Sequence, residues 1–193
     1  HRYDGVTPVE ETMQALIDIV KQGKALYVGI SKYPPAQAKI AYEMLRAAGV
    51  PCLISQYRYS MFDRTVEEKS LPLAAEQGSG FIAFSPLAQG LLTKKYLHGI
   101  PEHSRAARST GFLKVDQVTE DKVGKARRLD EIAARRGQTL AEMALAWVLK
   151  DERMTSVIVG TSSVKQLADN LHALDNLNFT NEELAEIEGI LRL

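Results

Sequence analysis

Two spacings of apolar residues alternate along the chain. Val9, Met13, Leu16, Ile17 and Val20 recur at intervals of three and four, the spacing of one helical face. Thr7-Pro8-Val9-Glu10 has the form of a capping box with Pro at the first helical position, and Gly23 closes that helix. Residues 26–31, LYVGIS, are short and apolar and read as a buried strand. Pro34-Pro35 opens a second helix to about Ala48, closed by Gly49. A strand over 52–56, a short helix over 69–77 and a strand over 81–85 follow. The stretch from Pro86 to about Glu120 is polar and too long for a simple connection, which marks it as functional or mobile. Helices resume over 121–136 and 140–150. The second is announced by Thr139-Leu140-Ala141-Glu142 and carries Leu140, Met143, Ala144, Trp147 and Val148 on its apolar face. Residues 155–159 form the last strand, and the segments beginning at Ser163 and Thr180 have capping-box form for two closing helices.

Short apolar strands separated by amphipathic helices imply parallel β/α units with both sheet faces covered. Four strands are expected, each followed by a helix. None is followed by Gly-x-Gly-x-x-Gly, which argues against a nucleotide-binding doubly wound sheet. Polar residues stand at the strand ends, namely Ser31, Gln56, Ser85 and Gly160, and in a (β/α)8 barrel that rim is the active face. A whole barrel takes roughly 250 residues, and this chain has 193. The expected architecture is therefore α/β, a (β/α)8 TIM barrel of which residues 1–193 supply the second half of a single domain. Its first and last strands would be unpaired edges, and apolar side chains facing the missing half would be exposed.

Charge excludes some partners. The 24 basic and 24 acidic side chains balance, so no global field favours nucleic acid or an anionic membrane surface. No apolar run approaches the roughly 20 residues of a spanning helix, so membrane insertion is not expected. The first residue is His and not Met, as in a fragment. Cys52 is the single cysteine; it suits a reducing, cytoplasmic location and a buried structural role in an apolar strand. The four His residues are scattered, so no metal site is expected. Trp147, on its apolar helical face, reads as a packing residue.

Six segments carry a resemblance. They are His1-Arg2-Tyr3-Asp4 with TPVEET, GKALYVGIS, ISQYRYSMFDR, FIAFSPLAQGLLTKKYL, the IP..SRA segment over 100–106, and VIVGTSSVKQLADNL. In this order they resemble the aldo-keto reductase superfamily, in the branch with voltage-gated potassium-channel β subunits and bacterial glyceraldehyde-3-phosphate reductases. The resemblance implies a (β/α)8 barrel that reduces a small carbonyl substrate, an aldehyde or ketone, with NADP(H) and without a metal. A homo-oligomer is allowed.

Residue by residue, the resemblance makes His1 the catalytic His that orients the carbonyl. The family's catalytic Asp, Tyr and Lys have no match here, so the chain alone is expected to be inactive. Tyr3, Tyr33, Tyr57, Tyr59 and Lys32 do not substitute, because a phenol with a pKa near 10 needs a positioned cation to work near neutrality. Ser31 and Gln56 match carboxamide-binding positions, with plain strand-end bonding to backbone as the rival reading. Phe84 matches an aromatic packed on the nicotinamide, or is a core Phe. Ser85, Pro86, Leu87, Ala88 and Gly90 resemble the pyrophosphate loop. Lys95 and Arg105 match basic residues on the diphosphate and adenosine phosphate, and Arg108 matches less well. From Gly160 to Asn170 a strand end and Ser-rich turn open a helix, an arrangement suited to phosphate and equally to simple capping. There the resemblance assigns Ser162 and Gln166 to the 2′-phosphate, and Asp169 and Asn170 to the adenine. Three functions stay open: a reductase, an NADP(H)-binding regulatory subunit, and an inert folding half. His1 favours the first, since the channel β subunits commonly have Asn there.

Overall fold

The computed structural model describes residues 1–102, 104, 106, 107 and 112–192, and the chain forms two compact units. The first comprises residues 1–59, 64–84 and 152–156; the second comprises 60–63, 85–151 and the chain from 157 onward.

In the first unit α1 (Val9–Lys21), β1 (Val28–Ser31), α2 (Pro35–Ala47), β2 (Cys52–Arg58), α3 (Ser70–Glu76) and β3 (Gly80–Phe84) follow in order. The opening residues of β4 (Met154–Ile158) also belong here. The sheet runs β1-β2-β3-β4, with β1–β2 and β2–β3 parallel. One face carries Val28, Ile30, Ser55, Tyr57, Phe81 and Ala83, all buried, with α2 against β2 and α3 against β3. The other face is open. Ladder register lines up Ser31, Gln56 and Ile82 in one row and Arg58 with Phe84 in the next. Every member of those rows is half-buried or exposed. Helices shield one face, and the other keeps Ile54, Ile82 and Phe84 partly accessible, as expected of a sheet face that belongs to a larger barrel.

Register slips between Val28 and Gly29, which pair with Cys52 and Ile54, so Leu53 is the extra residue of a bulge. Only glycine fits beside it, because a Cβ on Gly29 would lie 2.6 Å from the Ile54 carbonyl oxygen. β1 starts two residues later than its apolar pattern suggests, since Leu26 and Tyr27 are exposed. Beneath the sheet runs a buried polar chain. The Tyr42 hydroxyl lies 2.6 Å from Ser55 Oγ, which lies 2.9 Å from Ser79 Oγ. Ser79 donates to Cys52 Sγ, and the thiol donates to the Ile54 carbonyl. Burial raises the pKa of both Cys52 and Tyr42.

α1 is entered differently from the expected capping box. Its N-cap is Pro8, with no side-chain cap. The Asp4 carboxylate instead accepts from the Val6 and Thr7 N–H groups at 2.9 and 2.8 Å and from the Thr7 hydroxyl at 2.7 Å. Thr7 is thus drawn toward Asp4 and away from the helix.

The second unit is built on α4 (Glu120–Arg135), α5 (Leu140–Leu149), α6 (Val164–Leu171) and α7 (Asn181–Arg192). α5 is its core, with Leu140, Met143, Ala144, Leu145, Trp147 and Val148 buried. Reciprocal capping boxes form at Thr139–Glu142 and Thr180–Glu183, as the sequence predicts. Just after α4, the Arg136 side chain is 2% exposed. It donates to Glu183, to Gln138 Oε1 and to the Asn176 and Asn178 carbonyls, and its guanidinium stacks over Phe179. The segment after Phe84 is less polar in place than in sequence. It holds 3-10 turns at Ala88–Gly90, Lys94–Tyr96 and Val115–Gln117, and buries Leu91, Leu92, Tyr96, Leu97 and Leu113. Among the described residues no helix is long and apolar enough to cross a membrane, and no group of three or more His, Cys, Asp or Glu is placed to hold a metal.

Candidate functional site

Beyond β3 the backbone turns sharply. Ser85, Ala88 and Gln89 adopt positive φ of 55°, 47° and 60°, and Gly90 has φ 103°. Left-handed backbone at non-glycine residues costs about 1–3 kcal/mol each and persists where neighbouring structure enforces it. Here the Ala88 N–H donates to the Ser85 carbonyl, and the Gly90 and Leu92 N–H groups donate to that of Leu87. A Cβ on Gly90 would stand 3.2 Å from Tyr96, which is fully buried. The Thr93 hydroxyl donates to the Gly90 carbonyl at 2.7 Å and accepts from the Lys95 N–H at 3.2 Å. Of two adjacent lysines, Lys94 pairs with Asp130 at 3.6 Å, whereas Lys95 faces a cleft.

The opposite wall comes from the chain leaving β4. Ser163 caps α6 by accepting from the Gln166 N–H at 3.1 Å. The Gln166 side chain does not complete the expected box on Ser163. Its Oε1 accepts from the Ser162 N–H at 2.9 Å and the Ser162 hydroxyl at 3.2 Å. Because a backbone N–H can only donate, the amide oxygen must face Ser162, and the Nε2 donors turn away from it.

These walls enclose a cleft of about 430 Å³ within the second unit. Ser85, Pro86, Leu87, Gly90 and Lys95 line one side, with Gly160, Ser162 and Gln166 opposite. Gln89, Thr93, Val159 and Thr161 also line it; Gln89 and Thr161 fall within the loop and the Ser-rich turn that the sequence singles out, whereas Thr93 and Val159 carry no assigned role there. For Thr93 a local signal existed, a Thr two residues ahead of a Lys at a turn, which is capping chemistry. No carboxylate lines the cleft among the described residues, and Lys95 supplies a cation. Hydroxyls, glycine backbone and one ammonium suit an elongated polyanion.

Not every expected residue faces this space. Ala88 is buried and shapes the loop through its backbone alone. The Asp169 carboxylate is held by Lys165 Nζ, 2.9 Å from both oxygens. Asn170 is 7% exposed, and its Nδ2 has no partner. Arg105 and Arg108 lie outside the described residues. In the first unit, His1 is exposed. Ser31 Oγ donates to the Gln56 carbonyl at 3.0 Å, which is the backbone-bonded reading of a strand-end serine; a hydroxyl that donates keeps its capacity to accept, and Ser31 pairs with Gln56 in the ladder. Phe84 is half-buried, one row beyond Gln56. The interior tyrosines are otherwise engaged. Tyr57 donates to the Tyr33 carbonyl with its pKa raised, first by burial, and Tyr59 donates to Glu67.

The aldo/keto reductase family model matches residues 1–192. The chain belongs to the aldo/keto reductase family. Its four-stranded parallel sheet with helices is part of that family's (β/α)8 barrel. L-glyceraldehyde 3-phosphate reductases from Escherichia coli O157:H7 and Escherichia coli strain K12 are 48% and 47% identical to it over 192 residues. Each match covers 97% of this chain and 56% of the relative, so the chain spans about half the length of the curated relatives it matches. Within the family match fall the left-handed loop, Thr93, Lys95 and the α6 entrance alike.

Proposed function

We propose that the intact protein is an oxidoreductase that reduces a small aldehyde or ketone to the alcohol with NADPH. In this reading residues 1–193 form the C-terminal half of one barrel domain. The observation that carries it is the second unit's cleft, where the Ser85–Gly90 loop, Lys95, Ser162 and Gln166 converge with no carboxylate among them. Lys95 and the loop would hold the diphosphate, and the outward amide donors of Gln166 with the Ser162 hydroxyl would hold the 2′-phosphate. Asp169, Asn170 and Arg105 join them by family likeness; the Asn170 amide donors, buried without a partner, suit a ring nitrogen. Ser31 as acceptor and Gln56 would orient the carboxamide, with Phe84 against the ring. The bound cofactor supplies hydride; His1 would donate a hydrogen bond to the carbonyl oxygen as it gains charge. The relatives' names make L-glyceraldehyde 3-phosphate the first substrate to try. A cytoplasmic site of action fits the chemistry.

The test is a paired titration with NADPH and NADH. Gln166→Ala should weaken NADPH roughly tenfold, the worth of one hydrogen bond to a charged group, and NADH far less. Equal losses for both cofactors overturn the 2′-phosphate assignment. Tight NADPH binding without oxidation by any aldehyde would favour the regulatory-subunit reading.

A further inference from the structure

We propose that Thr93 is a positioning residue that selects Lys95, and not Lys94, as the cation of the cleft. This rests on the cofactor reading above. Two lysines stand side by side on a single 3-10 turn, Lys94–Tyr96, and neighbours on so tight a turn point in different directions. Only one can face the cleft, and the turn's rotation decides which.

Two contacts set that rotation. Lys94 reaches Asp130 on α4 at 3.6 Å, but this pair is loose and Lys94 is mostly exposed, so it holds the turn weakly. Thr93 holds it at close range. Its hydroxyl proton goes to the Gly90 carbonyl at 2.7 Å, and its oxygen accepts the Lys95 N–H at 3.2 Å. One oxygen thereby ties the end of the left-handed loop to the backbone of the lysine itself. The far end of the turn is fixed too, since Tyr96 is buried against Gly90. Thr93 also lines the cleft, in the same wall as the lysine it directs. Replacing the hydroxyl by a methyl keeps the shape of the side chain and removes both bonds. The turn can then rotate, and the ammonium spends part of its time elsewhere.

A double-mutant cycle in the intact protein, read by NADPH fluorescence at several salt concentrations, tests the idea. Thr93→Val should weaken NADPH three- to tenfold and lower the salt dependence of binding, as Lys95→Met does. Thr93→Ser should restore both. With Lys95 already Met, Thr93→Val should add nothing, because the two act as one unit. Additive losses, or a loss in Thr93→Val with unchanged salt dependence, overturn the positioning role and leave the cofactor reading standing. So does a Thr93→Ser protein as weak as Thr93→Val. Absence of NADPH binding by the unaltered protein overturns the cofactor reading, and this inference with it.

Discussion

At the scale of single residues, Asp4 shows how a local group redirects an element. Its carboxyl is lowered from an ordinary 3.8 to about 2, first by the Thr7 hydroxyl and then by the Val6 and Thr7 N–H groups. A depressed folded-state value means the turn is favoured above the ordinary value and loses that contribution as pH falls from about 4 through about 2. The Thr7 and α1 first-turn amides should therefore lose order over that window, and Asp4→Asn should abolish the pH dependence. A carboxyl titration of Asp4 by NMR with its midpoint near 4 would contradict this. The competition was not legible in sequence: Thr7-Pro8-Val9-Glu10 satisfies the capping pattern, yet Asp4 offers three bonds where the box offers two. Lys94 and Lys95 were equally indistinguishable, because Asp130, which claims one of them, lies 36 positions away from it in the chain. Ser85, Ala88 and Gln89 carry no mark of their left-handed backbone, since glycine is the residue that signals it.

At the scale of elements, local chemistry was the most readable. Thr139 and Thr180 cap as their patterns say, because every partner lies within three residues. Ser163 caps too, while Gln166 reaches one residue further back, a difference of register that no pattern encodes. What joins α4 to α7 was hidden. Arg136 and Glu183 are separated by 47 residues, and the same guanidinium donates to the Asn178 carbonyl and shares that of Asn176 with Gln138 Nε2. Arg136→Met should cost about 3 kcal/mol, since it takes the cation from the partly buried Glu183 carboxylate, leaving that group the Thr180 N–H alone, and removes the side-chain donor to the Asn178 carbonyl. Denaturant melting measures it, and α7 amides should lose protection first. A loss under about 1 kcal/mol would mean the pair is no stronger than a surface one. Arg135 and Glu186, joining the same helices with both side chains half exposed, supply the control, at about 0.5 kcal/mol.

At the scale of the molecule, alternating strand and helix periods were enough to read parallel β/α units, and counting strands was enough to read half of a barrel. Apolar surface is the physical price of that half. Val164 is 87% exposed, and Leu167, Leu171 and Leu174 continue its side at helical spacing. The sheet's open face adds Ile54, Ile82 and Phe84, and the order β1-β2-β3-β4 makes β1 and β4 its edges. Expressed alone, these 193 residues should self-associate with rising concentration in sedimentation runs. A monodisperse monomer with one sharp thermal transition would refute this. The polar chain beneath the sheet has a different consequence. Cys52 is the only thiol in the sequence, it is sealed at the end of that chain, and burial keeps it protonated. A thiol reagent can reach it only when α2, β2 and the segment before β3 part company. The cysteine is thus a built-in clock, and its alkylation rate counts how often the core of the first unit opens.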